Sequence, residues 1–282
     1  MSRHAVITGV SSGIGLDAAR ELIAHGWHVF GSVRKAADGA RVQEQLGEGF
    51  TPLLFDVTDH DAIQTAAQQV KERLAGAGLD GLVNNAGIAV PGPLAHINLE
   101  QIRWQLEVNV LGVVAVTQAF LPLLGAQKDW PHRPGRIVNV SSVSGQVAYP
   151  FFGPYAMSKH ALEAMSHSLR RELMLYGIDV SIIGPGTVKT PIWEKAGELD
   201  IEPWLKTDYG NILAKLQKGL VRQGEGGISV KVTSEAIRHA LESPKPKVRY
   251  ALPSSWLSGW LLPRYLPARW VDRLAAKRMG LR

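Results

Sequence analysis

Tyr155 and Lys159 stand four residues apart at the start of a stretch with helical period, so both side chains rise from one helix face and can meet the same ligand. A phenol with a pKa near 10 is a weak base at neutral pH, but an ammonium or another cation beside it favours the phenolate. Such a pair can exchange a proton with an alcohol or ketone oxygen. A second signal is Thr8-Gly9-Val10-Ser11-Ser12-Gly13-Ile14-Gly15, a glycine-rich turn between a strand-like run and a helical one. Glycines permit the tight turn and a close backbone approach to a pyrophosphate, toward which the next helix points its positive end. The spacing is G-x-x-x-G-x-G, which differs from the dinucleotide fingerprint G-x-G-x-x-G.

Further along come Asn84-Asn85-Ala86-Gly87 after a fourth strand, Ser141-Ser142 after a fifth, and Tyr155-Ala156-Met157-Ser158-Lys159. With the first turn, these motifs resemble the short-chain dehydrogenase/reductase family, in order, from about residue 4 to residue 191. The spacing from Ser142 to Lys159 and the long tail are most similar to its steroid- and retinol-dehydrogenase branch. The resemblance implies an NADP(H)- or NAD(H)-dependent oxidoreductase in which Tyr155 transfers the proton, Lys159 supports it and binds nucleotide, and Ser142 holds the substrate oxygen. It also implies that Asn109 holds a water linking Lys159 to solvent. A buried Asn satisfied by a neighbouring carbonyl is the alternative, since mid-helix Asn has no propensity reason to be there. Ser141 should face the other way, with strand-end hydrogen bonding.

Cofactor contacts implied by the same resemblance fall on Gly9, Ser11, Ser12, Gly13, Ile14 and Gly15 around the phosphates. Asp56 and Val57 fall at the adenine, and Asn85, Ala86 and Gly87 beside the adenosine, with Asn85 tying strand four to its neighbours. Tyr155, Lys159, Pro185, Gly186, Val188 and Thr190 complete the set near the nicotinamide. Cofactor choice turns on the end of strand two, where an acid holds NAD ribose hydroxyls and an Arg accommodates a 2′-phosphate. Val33 occupies the acid's place and Arg34 follows, which favours NADP(H). Ser12, where many NADP-preferring members carry Lys or Arg, counts the other way, and Arg34 with Lys35 also reads as a solvated turn.

Large apolar residues surround the motifs. Val143 and Tyr149, with Ser142 and Tyr155, and Trp193 from a later segment are candidate substrate contacts; Val147, Phe151, Phe152, Ile192, Leu199, Trp204, Leu205 and Ile212 are further candidate walls. They suit a small lipophilic alcohol or carbonyl compound better than a charged sugar. A 3-oxoacyl-type or small-ketone reductase is the alternative within the family, and a nucleotide-sensing protein without turnover the alternative outside it. The presence of Tyr155, Lys159, Ser142 and Asn109 together favours an enzyme.

The elements that must position these groups alternate. Strand-like runs at 4–8, 28–33, 51–55, 81–84, 136–140, 179–183 and 248–252 are separated by helical runs at 14–25, 59–74, 99–124, 155–175 and 234–241. That alternation indicates βαβ units and a doubly wound, seven-stranded parallel sheet of Rossmann type with helices on both faces. The chain reads as one domain over 1–282, with a cap segment at 191–229 and a carboxyl-terminal extension at 253–282. Its 282 residues, 45% hydrophobic, can bury a large core, and the absence of Cys excludes disulfides and thiolate metal sites. No His/Asp/Glu cluster has metal-ligand spacing, so the chemistry reads as metal-free.

No apolar run approaches a membrane span, and the amino terminus leaves no room for a secretory core, so the expected location is cytoplasmic. Net charge is +6, with six Arg/Lys against Asp272 alone in residues 264–282. Charge alone argues for nucleic acid, and no base-contact motif accompanies it, so none is expected. Trp256, Trp260, Tyr265 and Trp270 among those cations suit a helix resting on a membrane surface; covering the protein's own substrate entrance or a subunit neighbour is the other reading. The helices at 99–124 and 155–175, which in the family commonly pair across a two-fold, point to a homodimer or homotetramer.

Overall fold

Each strand-like run becomes a parallel strand in a computed structural model that describes residues 3–190 and 200–281. The strands are β1 (Arg3–Ile7), β2 (Trp27–Val33), β3 (Phe50–Leu54), β4 (Gly81–Asn84), β5 (Arg136–Val140), β6 (Asp179–Pro185) and β7 (Arg249–Leu252). Their order across the sheet is β3-β2-β1-β4-β5-β6-β7. The order reverses between β1 and β4, which opens a crevice at the strands' carboxyl ends, the place where such sheets bind ligands. The helices are α1 (Gly13–Ala24), α2 (Ala36–Leu46), α3 (His60–Leu74), α4 (Leu99–Leu106), α5 (Gly112–Phe120), α6 (Gly153–Glu172), α7 (Gly210–Glu225), α8 (Val230–Glu242), α9 (Leu262–Tyr265) and α10 (Ala268–Met279).

Strand alternation sorts the core into two layers. Val6, Phe30, Leu82 and Ile137 face α3 and α5, joining Ile63, Val70, Val116 and Phe120. Ala5, Ile7, Val29 and Val138 face the opposite way, onto Ala18 and Leu22 of α1 and Ile237 and Leu241 of α8. Each such Leu, Ile or Phe contributes about 1.5–3 kcal/mol by leaving water. One polar chain crosses the first layer: Asn84 donates to Thr117 Oγ1 (3.1 Å) and Asn139 Oδ1 (2.9 Å), and Asn139 donates to Ser166 Oγ (2.8 Å). It pins β4, β5, α5 and α6 together behind the crevice. At the start of α3 the Asp59 carboxylate accepts from the Ala62 amide at 3.0 Å, as its position at the helix start leads one to expect.

Three segments differ from the sequence reading. Residues 36–46 form a helix whose polar composition gives little apolar period; only Gly39 and Val42 are buried. The single helix expected at 99–124 is two, joined by a π-turn at Glu107–Leu111 that includes Asn109. The cap contains α7, and the extension folds as a π-turn (Leu257–Leu261), α9 and α10. Pro263 sits in the first turn of α9, where a missing amide costs nothing, so the chain breaks only at Leu266 before Pro267. Among the described residues no helix is long and apolar enough to cross a membrane.

Candidate active site

The glycine-rich turn links β1 to α1, and its shape leaves no room for side chains. Gly9 and Gly13 hold φ of 72° and 60°, the left-handed region. A Cβ on Gly15 would collide with the Gly9 carbonyl and the Asn85 amide. Thr8 and Asn85 lock this turn to the end of β4. Thr8 Oγ1 accepts from the amides of Asn85 (2.9 Å) and Ala86 (3.0 Å), and Asn85 Nδ2 donates to the carbonyls of Thr8 (2.9 Å) and Gly9 (3.1 Å). Ser12 precedes α1 in extended conformation without a side-chain cap, and no acid stands in the first turn. The first amides of α1 are therefore left to an anion, and the cradle fits a dinucleotide pyrophosphate. Ile14 packs partly into the core. Ser11 gives its carbonyl to Arg41 of α2 (2.8 Å), a neighbour that sequence reasoning missed because it belongs to the unexpected helix.

At the adenosine end, Arg34 is largely exposed and its guanidinium lies 4.0 Å from the Asp56 carboxylate. Asp56 is itself held by the amide and hydroxyl of Thr58. Val57 is buried, with its side chain and its carbonyl against Gly112 of α5. On the far side of the crevice, Pro185 ends β6, Gly186 donates to the Leu252 carbonyl (2.9 Å), and buried Val188 pairs with Ile228. The Thr190 methyl reaches within 3.4 Å of where a Cβ on Gly13 would lie, so the segment after β6 meets the phosphate turn.

Between these walls stand the chemical groups. Lys159 is buried on α6, with Nζ donating to the Val140 carbonyl at the end of β5 (2.9 Å) and lying 5.8 Å from the Tyr155 ring centre. Burial lowers its pKa to about 8, against the upward pull of Glu163 one turn along. Tyr155 is half-buried; desolvation pushes its phenol above the usual 10, and a hydrogen bond with Ser142 draws it partly back. The depression expected of Tyr155 from an adjacent ammonium and a cationic nicotinamide ring together concerns the nucleotide-bound state; in the protein alone burial is the larger influence. Ser142 Oγ donates to the Pro185 carbonyl (3.4 Å) and accepts from the Ser144 amide (3.1 Å), which fixes it at the mouth of β5. Ser141 bonds through its amide to Ile183, while its buried hydroxyl has no partner, contrary to the strand-end bonding expected of it.

Asn109 turns inward at the π-turn. It exchanges two 2.9 Å bonds with the backbone of Ile88 and donates to Ser158 Oγ (3.1 Å). Gln105, one turn earlier, binds the Ile88 carbonyl and the Val90 amide, so the two amides stitch the loop after β4 to α6. Sequence reasoning missed Gln105, although its spacing of four from Asn109 was legible. A Cβ on Gly87 would lie 3.2 Å from Asn109 Oδ1 and 3.8 Å from Lys159 Nζ. Gly87 is therefore the gap through which the two approach each other.

The expected substrate contacts divide. Val143 is half-buried in the turn after Ser142. Tyr149 donates its hydroxyl to the Gly259 carbonyl of the extension (3.4 Å), which ties it to the tail. Phe151, Trp204 and Leu213 form a closed apolar cluster with Tyr209 and Ile212, and Met279 and Leu281 of the tail pack on it. Leu205 is exposed. Trp193, Ile192 and Leu199 lie outside the described residues.

Comparison with known proteins follows this geometry. The family model described as short chain dehydrogenase matches residues 3–200. The chain is 41% identical to the NADPH-dependent 3-dehydrocapnine reductase of Ornithobacterium rhinotracheale, over 98% of this chain and 96% of that one. It is 32% identical to human 17-beta-hydroxysteroid dehydrogenase type 6, over 98% of this chain and 88% of that one. A crystal structure of a short-chain dehydrogenase from Streptomyces avermitilis superposes with a TM-score of 0.77 at 25% identity, covering 99% of this chain and 97% of that one.

The buried ammonium has a measurable signature. Lys159 holds its proton less tightly in the folded chain (about 8) than at its ordinary 10.5. Between those values the unfolded chain binds the extra proton, so the group's contribution to stability rises with pH across that window and is flat below it. Denaturant unfolding of wild type and Lys159→Met at about pH 7.5 and about pH 10.5 should show the difference moving in favour of wild type. An unchanged difference would mean that Lys159 is not desolvated.

Proposed function

Because the chain belongs to the short-chain dehydrogenase family and is an NAD(P)-dependent oxidoreductase, we propose that it transfers hydride between NADP(H) and a lipophilic alcohol or carbonyl compound. The observation that carries this reading is the convergence of Ser142, Tyr155 and Lys159 beside a turn built for a pyrophosphate. The nicotinamide, when bound, supplies or accepts the hydride. Tyr155 moves the proton at its hydroxyl oxygen, and Ser142 holds the same substrate oxygen. Lys159 keeps a positive charge beside the phenol and carries it into a region with little water.

Two features support the choice of NADP(H): Arg34 is largely exposed and held only by a 4.0 Å ion pair with Asp56, and Val33 leaves no acid to hold a ribose. The relative from Ornithobacterium, named NADPH-dependent, agrees with this. A lipophilic substrate is in keeping with the steroid named for the human relative. Exposed Leu99, Trp104, Leu111 and Met157 on the 99–120 helices and α6 support assembly with a second copy.

The extension supports a further contact. Its inner side packs on the protein, while Trp256, Leu257, Tyr265, Trp270 and Leu274 face outward among Arg264, Arg269, Arg273, Lys277 and Arg278. Amphipathic rings and cations together suit an anionic lipid surface, from which a lipophilic substrate would be collected.

Tyr155→Phe should cut kcat by about 10² to 10⁴-fold while NADPH binding persists, because only the proton-transfer group is lost. In the same NADPH-oxidation assay with hydrophobic ketones, Arg34→Ala should raise the KM for NADPH by about tenfold and leave NADH almost unchanged. Tenfold is near the lower end for a charge-assisted contact, as suits an exposed Arg. Retention of a tenth of wild-type kcat in Tyr155→Phe, or equal losses for both nucleotides in Arg34→Ala, would refute the respective role. For the lipid contact, wild type should sediment with anionic vesicles and the Trp270→Asp/Leu274→Asp variant should not. Equal sedimentation of both would leave the outward face without that role.

A further inference from the structure

Directly behind the reacting groups lies an ion pair that the chemistry above does not use. Arg249, the first residue of β7, grips Glu163 of α6: Nε lies 3.0 Å from Oε2 and Nη2 2.9 Å from Oε1. Both side chains are nearly inaccessible, 13% and 7% exposed. The same Nη2 donates to the backbone carbonyl of Ser142 at 3.0 Å. Glu163 stands one turn along α6 from Lys159, and it acts on the ammonium there. Two glycines make the room. A Cβ on Gly184 would collide with the Arg249 guanidinium, and one on Gly145 would lie 2.9 Å from Glu163 Oε1. On its outer side the guanidinium is covered by the Trp260 ring, 4.6 Å from the ring centre, and Arg264 stacks 5.4 Å from the same ring while donating to Gln146 Oε1 (2.7 Å). Gln146 in turn lies 3.4 Å from Glu163 Oε2.

We propose that Arg249 and Glu163 are positioning residues for the hydride-transfer reaction, fixing the backbone that carries Ser142 and setting a counter-charge below Lys159, and that Trp260 of the carboxyl-terminal extension keeps this pair dry. The extension is thereby part of the active site's support and not only an outer surface. A buried ion pair of this kind is retained at a cost in stability, the more so here because Arg249 Nη1 is buried without a hydrogen-bond partner, so the pair needs a reason beyond packing. Holding two reacting groups, one on a strand end and one on a helix, is such a reason. The inference rests on the functional reading given above only in its kinetic arm.

Charge predicts the sign of each effect. The charged and titratable groups beside Lys159 are Tyr155 and Glu163 on its own helix; Arg249 of β7 reaches it through the Glu163 carboxylate, with Arg264 behind Trp260, and β5 and the 87–109 region present the neutral Val140 carbonyl, Gly87 and Asn109. Removing Glu163's charge leaves Arg249 uncompensated, so Lys159 should release its proton at lower pH. Removing Arg249's charge leaves the carboxylate alone, so Lys159 should release it at higher pH. NMR titration of the Lys159 side chain in the nucleotide-free protein should therefore show Glu163→Gln and Arg249→Gln displaced in opposite directions, each by about one unit. The double variant should return near wild type. In NADPH-dependent ketone reduction, the alkaline limb of the kcat profile should follow the same order, with the KM for NADPH little changed. Trp260→Ala, which removes only the cover, keeps the test open if the charge variants fold poorly: it should lower kcat severalfold and make the alkaline limb sensitive to salt. Shifts of the same sign, or no shift in the titration together with a salt-insensitive Trp260→Ala, would overturn the proposal. The expected opposite titration shifts with no turnover in wild type would instead count against the enzymatic reading, and with it the kinetic role, while leaving the charge arrangement around Lys159 as described.

Discussion

A lysine ammonium held away from water is the constraint around which the crevice is organised. Moving such a charge out of solvent costs several kcal/mol after relaxation. Lys159 recovers part of that through the Val140 carbonyl and the nearby Glu163 carboxylate. The carbonyl is free to accept because Val140 is the last residue of β5, where the strand ladder ends. Approach from the other side requires Gly87, since any side chain there would fill the space between Asn109 and the ammonium. Even the break in the long helix serves this arrangement. The π-turn presents Asn109 and, through α4, Gln105 to one loop and to Ser158, the residue before Lys159.

The phosphate end is built by the opposite means. There the chain exposes backbone amides and withholds side chains, using Gly9, Gly13 and Gly15 and an uncapped helix start. Rigidity comes from two residues, Thr8 and Asn85, whose four hydrogen bonds join the ends of β1 and β4 across the point where the strand order reverses. A dinucleotide would thus lie between a neutral, electropositive cradle and a single buried cation, with the sheet edge setting the distance between them.

Much of this was legible in the sequence because the governing signals are local. Strand alternation, the Gly-rich turn, Asp59 at a helix start, and the four-residue step from Tyr155 to Lys159 each act over a few residues and survive folding unchanged. What escaped depends on partners distant in the chain. Arg249 and Glu163 are 86 residues apart and neither sits in a motif. Nothing in the segment around Tyr149 reveals that its hydroxyl meets the Gly259 carbonyl of the tail. Helix α2 lacks an apolar period, and the turn at Glu107–Leu111 differs from a helix by one inserted residue that no propensity scale registers. The upward pull on the Tyr155 phenol is invisible for a related reason: sequence spacing supplies the neighbouring charge, while the opposing desolvation exists only once the core has closed.

Burial holds the Tyr155 phenol above its ordinary value, and a second cation joining Lys159 in the crevice is expected to bring it below. Difference absorbance titration of wild type against Tyr155→Phe tests it most directly. Without nucleotide, the Tyr155 signal should titrate above its ordinary value near 10, and with saturating NADP⁺ it should move below that value. A nucleotide-free Tyr155 that already ionises well below 10 would contradict the account.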